Sequence, residues 1–90
     1  MKKAELLRIE LFLKENHISE QLYSIGEYAE ESVCLLYNGE QFEVFVAEKG
    51  NKYNCHRYHT ILDAGVDLIL RLARNKAQEE SLLEKWKKFI

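Results

Sequence analysis

Apolar residues near the start of the chain recur every three or four positions, which predicts an amphipathic helix over residues 2–16. The apolar positions of this helix, expected to form one buried face, are Leu6, Leu7, Ile9, Leu11, Phe12 and Leu13. Residues 22–25 then suit a short strand. The polar, acidic stretch from Gly26 to Ser32 suits a loop or wide turn.

The clearest pattern is a hairpin in the middle of the chain. Two runs rich in β-branched and aromatic residues, 32–37 and 40–48, flank Asn38-Gly39. Asn-Gly favours a two-residue turn because both turn positions must accept a positive φ, and such a turn would pair Leu35 with Phe42. The uniformly apolar face, expected to be the core face, holds Val33, Leu35, Phe42, Val44 and Val46. The opposite face holds Cys34, Leu36, Gln41, Glu43 and Phe45.

A further strand and two helical stretches follow the hairpin. Gly50-Asn51 marks a turn, and residues 52–59 would return antiparallel to the preceding strand. Thr60 stands where a helix N-cap is expected, and that helix would run to about Arg74. Its buried stripe is predicted to contain Leu62, Val66, Ile69, Leu70 and Ala73, with Leu68 and Leu72 beside it. A last helical stretch over residues 77–89 places Leu82, Leu83, Trp86 and Phe89 on one face.

This order of elements predicts one α+β domain over residues 1–90. It has an N-terminal helix, an antiparallel meander of about four strands, and one or two C-terminal helices packed on one face of the sheet. The other face would stay partly wet. An exposed edge of such a sheet would permit a homodimer.

Charge is strongly segregated along the chain. Residues 1–14 carry a net charge of +2, residues 15–48 carry eight glutamates without a lysine or arginine, and residues 49–90 carry +4. Carboxylates grouped in this way repel one another unless cations elsewhere in the fold lie close by. The asymmetry therefore bears on the binding partner of the protein rather than on its fold.

The composition favours a reducing compartment. Two cysteines, Cys34 and Cys55, are too few for a disulfide-stapled secreted domain. Charged residues interrupt any apolar stretch after Met1, so no signal peptide and no membrane span are expected. We expect a cytoplasmic protein with both thiols reduced.

No catalytic, cofactor or metal motif emerges from the sequence. Cys55-His56-x-x-His59 contains good zinc ligands, but within one strand His56 would point away from the other two. A cysteine nucleophile needs an electropositive setting, whereas Cys34 lies in the acidic segment. The four glycines form no phosphate-binding loop. We therefore expect no enzyme activity and no cofactor.

Nucleic-acid binding is the alternative function. The candidate contacts are Lys49, Lys52, Arg57, Arg71, Arg74 and Lys76, with Tyr53 and Tyr58 as stacking platforms. The acidic segment and a pI of 5.9 oppose this function, because phosphate contacts dominate such affinity.

The acidic segment predicts a single exposed negative surface, with tyrosines in it, that binds a basic protein, since complementary charge accelerates association and selects the partner. Aromatic residues lie among these glutamates, as they do in interface hot spots. The competing explanation is an ordinary solvated surface. The predicted partner-binding residues are Glu27, Tyr28, Glu30, Glu31, Tyr37, Glu40 and Glu43.

Short patterns over residues 32–72 resemble a known family. They are Val33-Cys34-Leu35-Leu36, Phe42-Glu43-Val44-Phe45, Glu48-Lys49-Gly50 and Tyr58-His59-Thr60, followed by a helix that contains Ala64 and Leu70. This segment resembles the immunity protein 59 family, small bacterial immunity proteins of polymorphic toxin systems. Lysine stands at position 49 where that family is expected to have arginine, and Phe42 stands in place of a tryptophan. The resemblance implies a non-enzymatic protein that binds and neutralises a cognate toxin, and its matched positions are structural.

Overall fold

Three helices and four strands account for most of residues 2–90, the part of the chain that the computed structural model describes. Their bounds are α1 Lys2–Glu15, β1 Tyr23–Ile25, β2 Val33–Tyr37, β3 Phe42–Glu48, β4 Asn51–Tyr58, α2 Ile61–Leu72 and α3 Lys76–Phe89. The strands form one sheet in the order β1-β2-β3-β4. The predicted α+β class is confirmed, with one helix before the sheet and two after it.

The sheet is mixed rather than an antiparallel meander throughout, because β1 runs parallel to β2. Residues 26–32 carry the chain back along the length of the sheet, and we call them the crossover segment. It lies on the face away from the helices, where Tyr28 stacks on Phe45 with the ring centroids 6.1 Å apart. Gly26, at φ +90, begins this segment in a conformation that favours glycine. The sequence predicted the short strand but not its direction.

The predicted hairpin of β2 and β3 is present, with a longer loop than expected. Tyr37 pairs with Phe42, and Leu35 pairs with Val44, so four residues form the loop. The Asn38 side-chain oxygen accepts hydrogen bonds from the backbone N–H groups of Glu40 and Gln41, both at 2.9 Å, which stabilises the wider loop. The pairing is displaced by two residues, so every side chain that remains in the two strands keeps its predicted face, whereas Gln41 lies in the loop.

A tight turn of Lys49 and Gly50 joins β3 to β4. Both residues have positive φ, 52° and 78°, as a two-residue hairpin turn requires. The turn lies one residue earlier than the predicted Gly50-Asn51. A bulge opposite Phe45 then follows, with Asn54 at φ 52.

Helix α2 packs across β2, β3 and β4 and forms the centre of the helical layer. Thr60 is its N-cap, and the Thr60 hydroxyl accepts a hydrogen bond from the Asp63 N–H at 3.1 Å, as predicted. The predicted buried stripe was partly wrong, because Leu62 and Leu70 are exposed. The buried positions are Ile61, Ala64, Gly65, Leu68, Ile69 and Leu72.

Helices α1 and α3 complete the layer around Trp86. The Trp86 indole N–H donates to the Leu62 carbonyl at 3.0 Å, and its ring lies 5.1 Å from that of Phe12. Ile9, Phe12 and Leu13 are buried as predicted, whereas Leu7 and Leu11 are exposed and do not widen the buried face. The main core thus lies between the helices and one sheet face.

A second, smaller core of Cys34, Phe45 and Ala47 lies on the other sheet face beneath the crossover segment. Within residues 2–90, no helix has the length and hydropathy that crossing a membrane would require.

Candidate protein-binding surface

Glu43 is the predicted contact residue whose environment departs furthest from expectation. It lies on β3 and is 4% exposed, so it does not belong to an exposed acidic patch. Its carboxylate accepts hydrogen bonds from Lys52 Nζ at 2.8 Å, Arg57 Nε at 2.9 Å and Asn38 Nδ2 at 3.1 Å. These partners, Lys52 foremost, lower the pKa of Glu43 to about 2. Glu43 therefore holds β4 against β3.

Glu30 binds the turn between β3 and β4. Its two carboxylate oxygens accept hydrogen bonds from the backbone N–H groups of Lys49 at 2.8 Å and Gly50 at 2.7 Å. The Tyr28 hydroxyl also donates to Glu30 at 2.6 Å, and this bond is the main cause that lowers the pKa of Glu30. Desolvation and the same carboxylate raise the pKa of Tyr28 to about 12. Both residues anchor the crossover segment to the sheet.

Glu27, Glu31 and Glu40 are exposed, as a binding surface requires. No lysine or arginine nitrogen of residues 2–90 lies within 4.0 Å of these three carboxylates. The prediction of a single negative patch was wrong, because these three residues lie at two different ends of the sheet. Glu31 lies beside Ala47, near the start of β2, whereas Glu40 follows the end of β2, which is about 13 Å away along a five-residue strand. Glu27 lies near Tyr37, at the same end as Glu40.

Three further glutamates, which were not among the predicted contacts, are also exposed: Glu15, Glu20 and Glu48. They too have no lysine or arginine nitrogen within 4.0 Å in the described part of the chain. Of the eight glutamates of residues 15–48, Glu43 alone is neutralised by basic side chains within residues 2–90. Because residues 15–48 contain no lysine or arginine, the sequence could also have predicted these three glutamates as partner-binding residues.

Tyr37 lines a groove rather than an open surface. The groove has a volume of about 510 Å³, and we call it the α1–β1 groove. Its walls are Lys2, Lys3, Leu6, Leu7, Glu10, Ile25, Gly26, Glu27 and Tyr37. Sequence reasoning missed Leu7 as a surface residue because its spacing fits a buried helix face equally well.

The basic residues proposed for nucleic-acid binding largely have acidic partners within the chain. Lys52 and Arg57 bind Glu43, and Lys76 binds Glu79 at 2.9 Å. Arg71 donates to Asp67 at 2.8 Å and to the Asn54 carbonyl at 2.6 Å. Such pairing reduces the positive charge that these side chains could offer to phosphates.

Asp67 of α2 binds residues of β4, including two that the sequence analysis considered as candidates, Tyr58 and His56. The Tyr58 hydroxyl donates to Asp67 at 2.6 Å, and burial followed by this carboxylate raises the pKa of Tyr58 to about 12. His56 Nδ1 lies 3.5 Å from the same carboxylate. The cluster connects strand to helix.

The cysteines and histidines do not converge. Cys55 packs beside the smaller core and His56 lies on the helix side, the alternation predicted from the strand. Cys34 is buried, and desolvation, rather than the acidic neighbours expected from the sequence, raises its pKa. Within residues 2–90, no three His, Cys, Asp or Glu side chains form a group that could hold a metal ion.

Comparisons of the chain with protein-family models, with curated proteins and with solved structures give no match.

Proposed function

We propose that this protein binds and neutralises a cognate bacterial toxin in the cytoplasm, as an immunity protein rather than an enzyme. The main support for this proposal is a set of exposed carboxylates without a basic partner in residues 2–90. Among them, Glu27, Glu31 and Glu40 are predicted contacts. Isolated negative charges of this kind favour a basic partner surface and accelerate association with it.

The resemblance over residues 32–72 supports the same class of function. These residues form β2, β3, β4 and the whole of α2, so the matched positions build three of the four strands and the helix that covers them.

The direct test uses the toxin gene expected beside the gene for this chain. The toxin domain is expressed in a bacterial host with and without this protein, and growth is measured. We expect growth only when both are present, and a stoichiometric complex on purification. Growth arrest despite good expression of this protein, with no complex formed, would contradict the proposal.

Two double substitutions show which end of the sheet makes the contact. Glu27→Lys with Glu40→Lys changes the β2–β3 loop end, and Glu31→Lys with Glu48→Lys changes the β3–β4 turn end. The matched control, Glu80→Lys with Glu84→Lys, makes the same change of net charge on exposed positions of α3. We expect at least one test pair to weaken toxin binding about tenfold or more, and the control pair to have little effect.

A further inference from the structure

The β2–β3 loop, residues 38–41, contains a chemically reactive pair, Asn38-Gly39. In an unrestrained chain, the backbone nitrogen of a glycine can attack the side-chain carbonyl carbon of a preceding asparagine, because glycine has no side chain to block the approach. Both residues are exposed, and the Gly39 N–H makes no hydrogen bond within residues 2–90. The nucleophile of this reaction is therefore available in the folded protein.

The Asn38 carboxamide, in contrast, is held by three hydrogen bonds. Its Oδ1 atom accepts from the Glu40 and Gln41 N–H groups, both at 2.9 Å, and its Nδ2 atom donates to Glu43 Oε2 at 3.1 Å. The Asn38 N–H also donates to the Gln41 carbonyl at 3.0 Å, which closes the loop. Glu43 is 4% exposed and is itself bound by two basic side chains of β4, so the acceptor of the Nδ2 bond is fixed in position.

Deamidation requires this carboxamide to leave its partners. The Gly39 nitrogen forms a bond to Asn38 Cγ, the bond from Cγ to Nδ2 breaks, and the amino group departs as ammonia with the Gly39 amide proton. Water then opens the cyclic imide at either carbonyl carbon, which leaves aspartate or isoaspartate at position 38. Because ring closure turns the carboxamide onto its own main chain, the bonds that hold it in the loop must break first.

We propose that Asn38 is a deamidation site which the closed β2–β3 loop protects, and that opening of this loop exposes it to attack by Gly39. The rate in the folded protein is then the rate of the unrestrained sequence multiplied by the population of the open loop. This property is independent of the proposed function, and its test requires no toxin.

Deamidation makes the opening of the loop permanent. A carboxylate at position 38 has no N–H to donate to Glu43 and brings a second negative charge towards it. Isoaspartate also lengthens the main chain where the Asn38 N–H bonds to the Gln41 carbonyl. Asn38→Asp is therefore expected to raise the pKa of Glu43 from about 2, measured by NMR titration of its side chain. An unchanged pKa would contradict the contact on which the protection depends.

The rate of deamidation at Asn38 tests the proposal directly. The folded protein, the urea-unfolded chain and a capped peptide of residues 36–41 are incubated in the same alkaline buffer, and the products are measured by mass spectrometry. We expect the folded protein to react at least about tenfold more slowly than the peptide, a barrier difference of about 1.4 kcal/mol, and the unfolded chain to react at the rate of the peptide.

Two results would overturn the protection. Equal rates in the folded protein and the peptide would show that the hydrogen bonds do not restrain the carboxamide. A faster reaction in the folded protein would show that the Glu40 and Gln41 N–H groups stabilise the developing oxyanion instead of restraining the side chain.

A pair of variants separates local opening from global unfolding. Glu43→Ala removes the acceptor of the Asn38 Nδ2 bond, whereas Gly65→Ala is the matched control, because it places a Cβ atom against Trp86 and leaves the loop untouched. We expect Glu43→Ala to raise the rate at Asn38 about threefold or more and Gly65→Ala to leave it close to that of the wild type. Equal acceleration in both variants, or no acceleration in Glu43→Ala, would contradict protection by the loop.

Discussion

At the scale of single residues, Glu43 was predicted to contact a partner but instead stabilises the sheet through ion pairs with Lys52 and Arg57. The sequence predicted its sheet face correctly but gave no sign of its partners, because Lys52 and Arg57 lie 9 and 14 residues away. Cross-strand ion pairs of this kind depend on register, which the hairpin turn alone did not determine. The alternation of polar and apolar residues predicts the sheet face on which a side chain lies, whereas its partners on the neighbouring strand can be named only once the strand register is known.

Glu43→Gln is expected to lower the free energy of unfolding at pH 7 by about 1–2 kcal/mol. The loss is modest because Lys52 and Arg57 are half exposed and their charges are screened by solvent. The folded-state pKa of about 2 lies below the ordinary value of 4.5. The stabilisation is therefore complete above about pH 4.5 and disappears as the pH falls towards 2.

Urea unfolding of the wild type and of Glu43→Gln between pH 2 and pH 7 checks this prediction. Glu40→Gln, at an exposed glutamate without a basic partner in residues 2–90, is the control and should leave stability within about 0.5 kcal/mol. A Glu43→Gln difference that stays constant across the pH range would show that ionised Glu43 is not the stabilising species.

Gly65 is a residue whose missing side chain is required for helix packing. A Cβ atom there would lie 2.5 Å from the Cε2 and Nε1 atoms of Trp86. Gly65→Ala should therefore destabilise the protein by about 1–2 kcal/mol, against the gain of about 1 kcal/mol that alanine normally brings to a helix. Thermal unfolding should show a decrease in Tm of about 5–15 °C.

Ser81→Ala, at an exposed position of α3, is the matched helix control and should change stability by less than about 0.5 kcal/mol. An unchanged or raised Tm for Gly65→Ala would mean that Trp86 does not pack against α2 as described.

At the scale of elements, the crossover segment depends on the contact of Glu30 with the β3–β4 turn. Glu30→Gln removes the charge that two backbone N–H groups and the Tyr28 hydroxyl share. We expect faster hydrogen exchange at the Lys49 and Gly50 amides, with the amides of α2 unchanged.

Glu31→Gln is the neighbouring control for this exchange experiment, since the Glu31 side chain makes no hydrogen bond within residues 2–90. Equal exchange at Lys49 and Gly50 in both variants would contradict an anchoring role for Glu30.

The elements that the sequence predicted best were those with a clear alternation or a clear cap. The β2–β3 hairpin kept its faces despite a longer loop, because a displacement of two residues preserves the side-chain period. Helix α2 was harder, since its polar stripe of Asp63, Asp67 and Arg71 is narrow and its wide apolar face includes Leu62 and Leu70 as well as the buried positions. The parallel direction of β1 was not predictable because seven connecting residues usually suit an antiparallel turn.

At the scale of the whole molecule, folding mixes the charges that are segregated along the sequence. Lys2 and Lys3 line the groove beside β1 together with Glu10 and Glu27, and Lys52 and Arg57 of β4 bind Glu43 of β3. The sequence identified which residues are acidic, and the fold decides which of them remain exposed. Glu27, Glu31 and Glu40 remain exposed, while Glu30 and Glu43 have structural partners.

The association rate of this protein with its cognate toxin, measured by stopped flow against salt concentration, tests the central claim most directly. Exposed carboxylates that meet a basic surface predict a rate that falls at least about tenfold between roughly 20 mM and 500 mM NaCl. They also predict a weaker salt dependence when Glu27 and Glu40, or Glu31 and Glu48, become lysine. A rate that is independent of salt and unchanged by both pairs would contradict the electrostatic account of toxin binding.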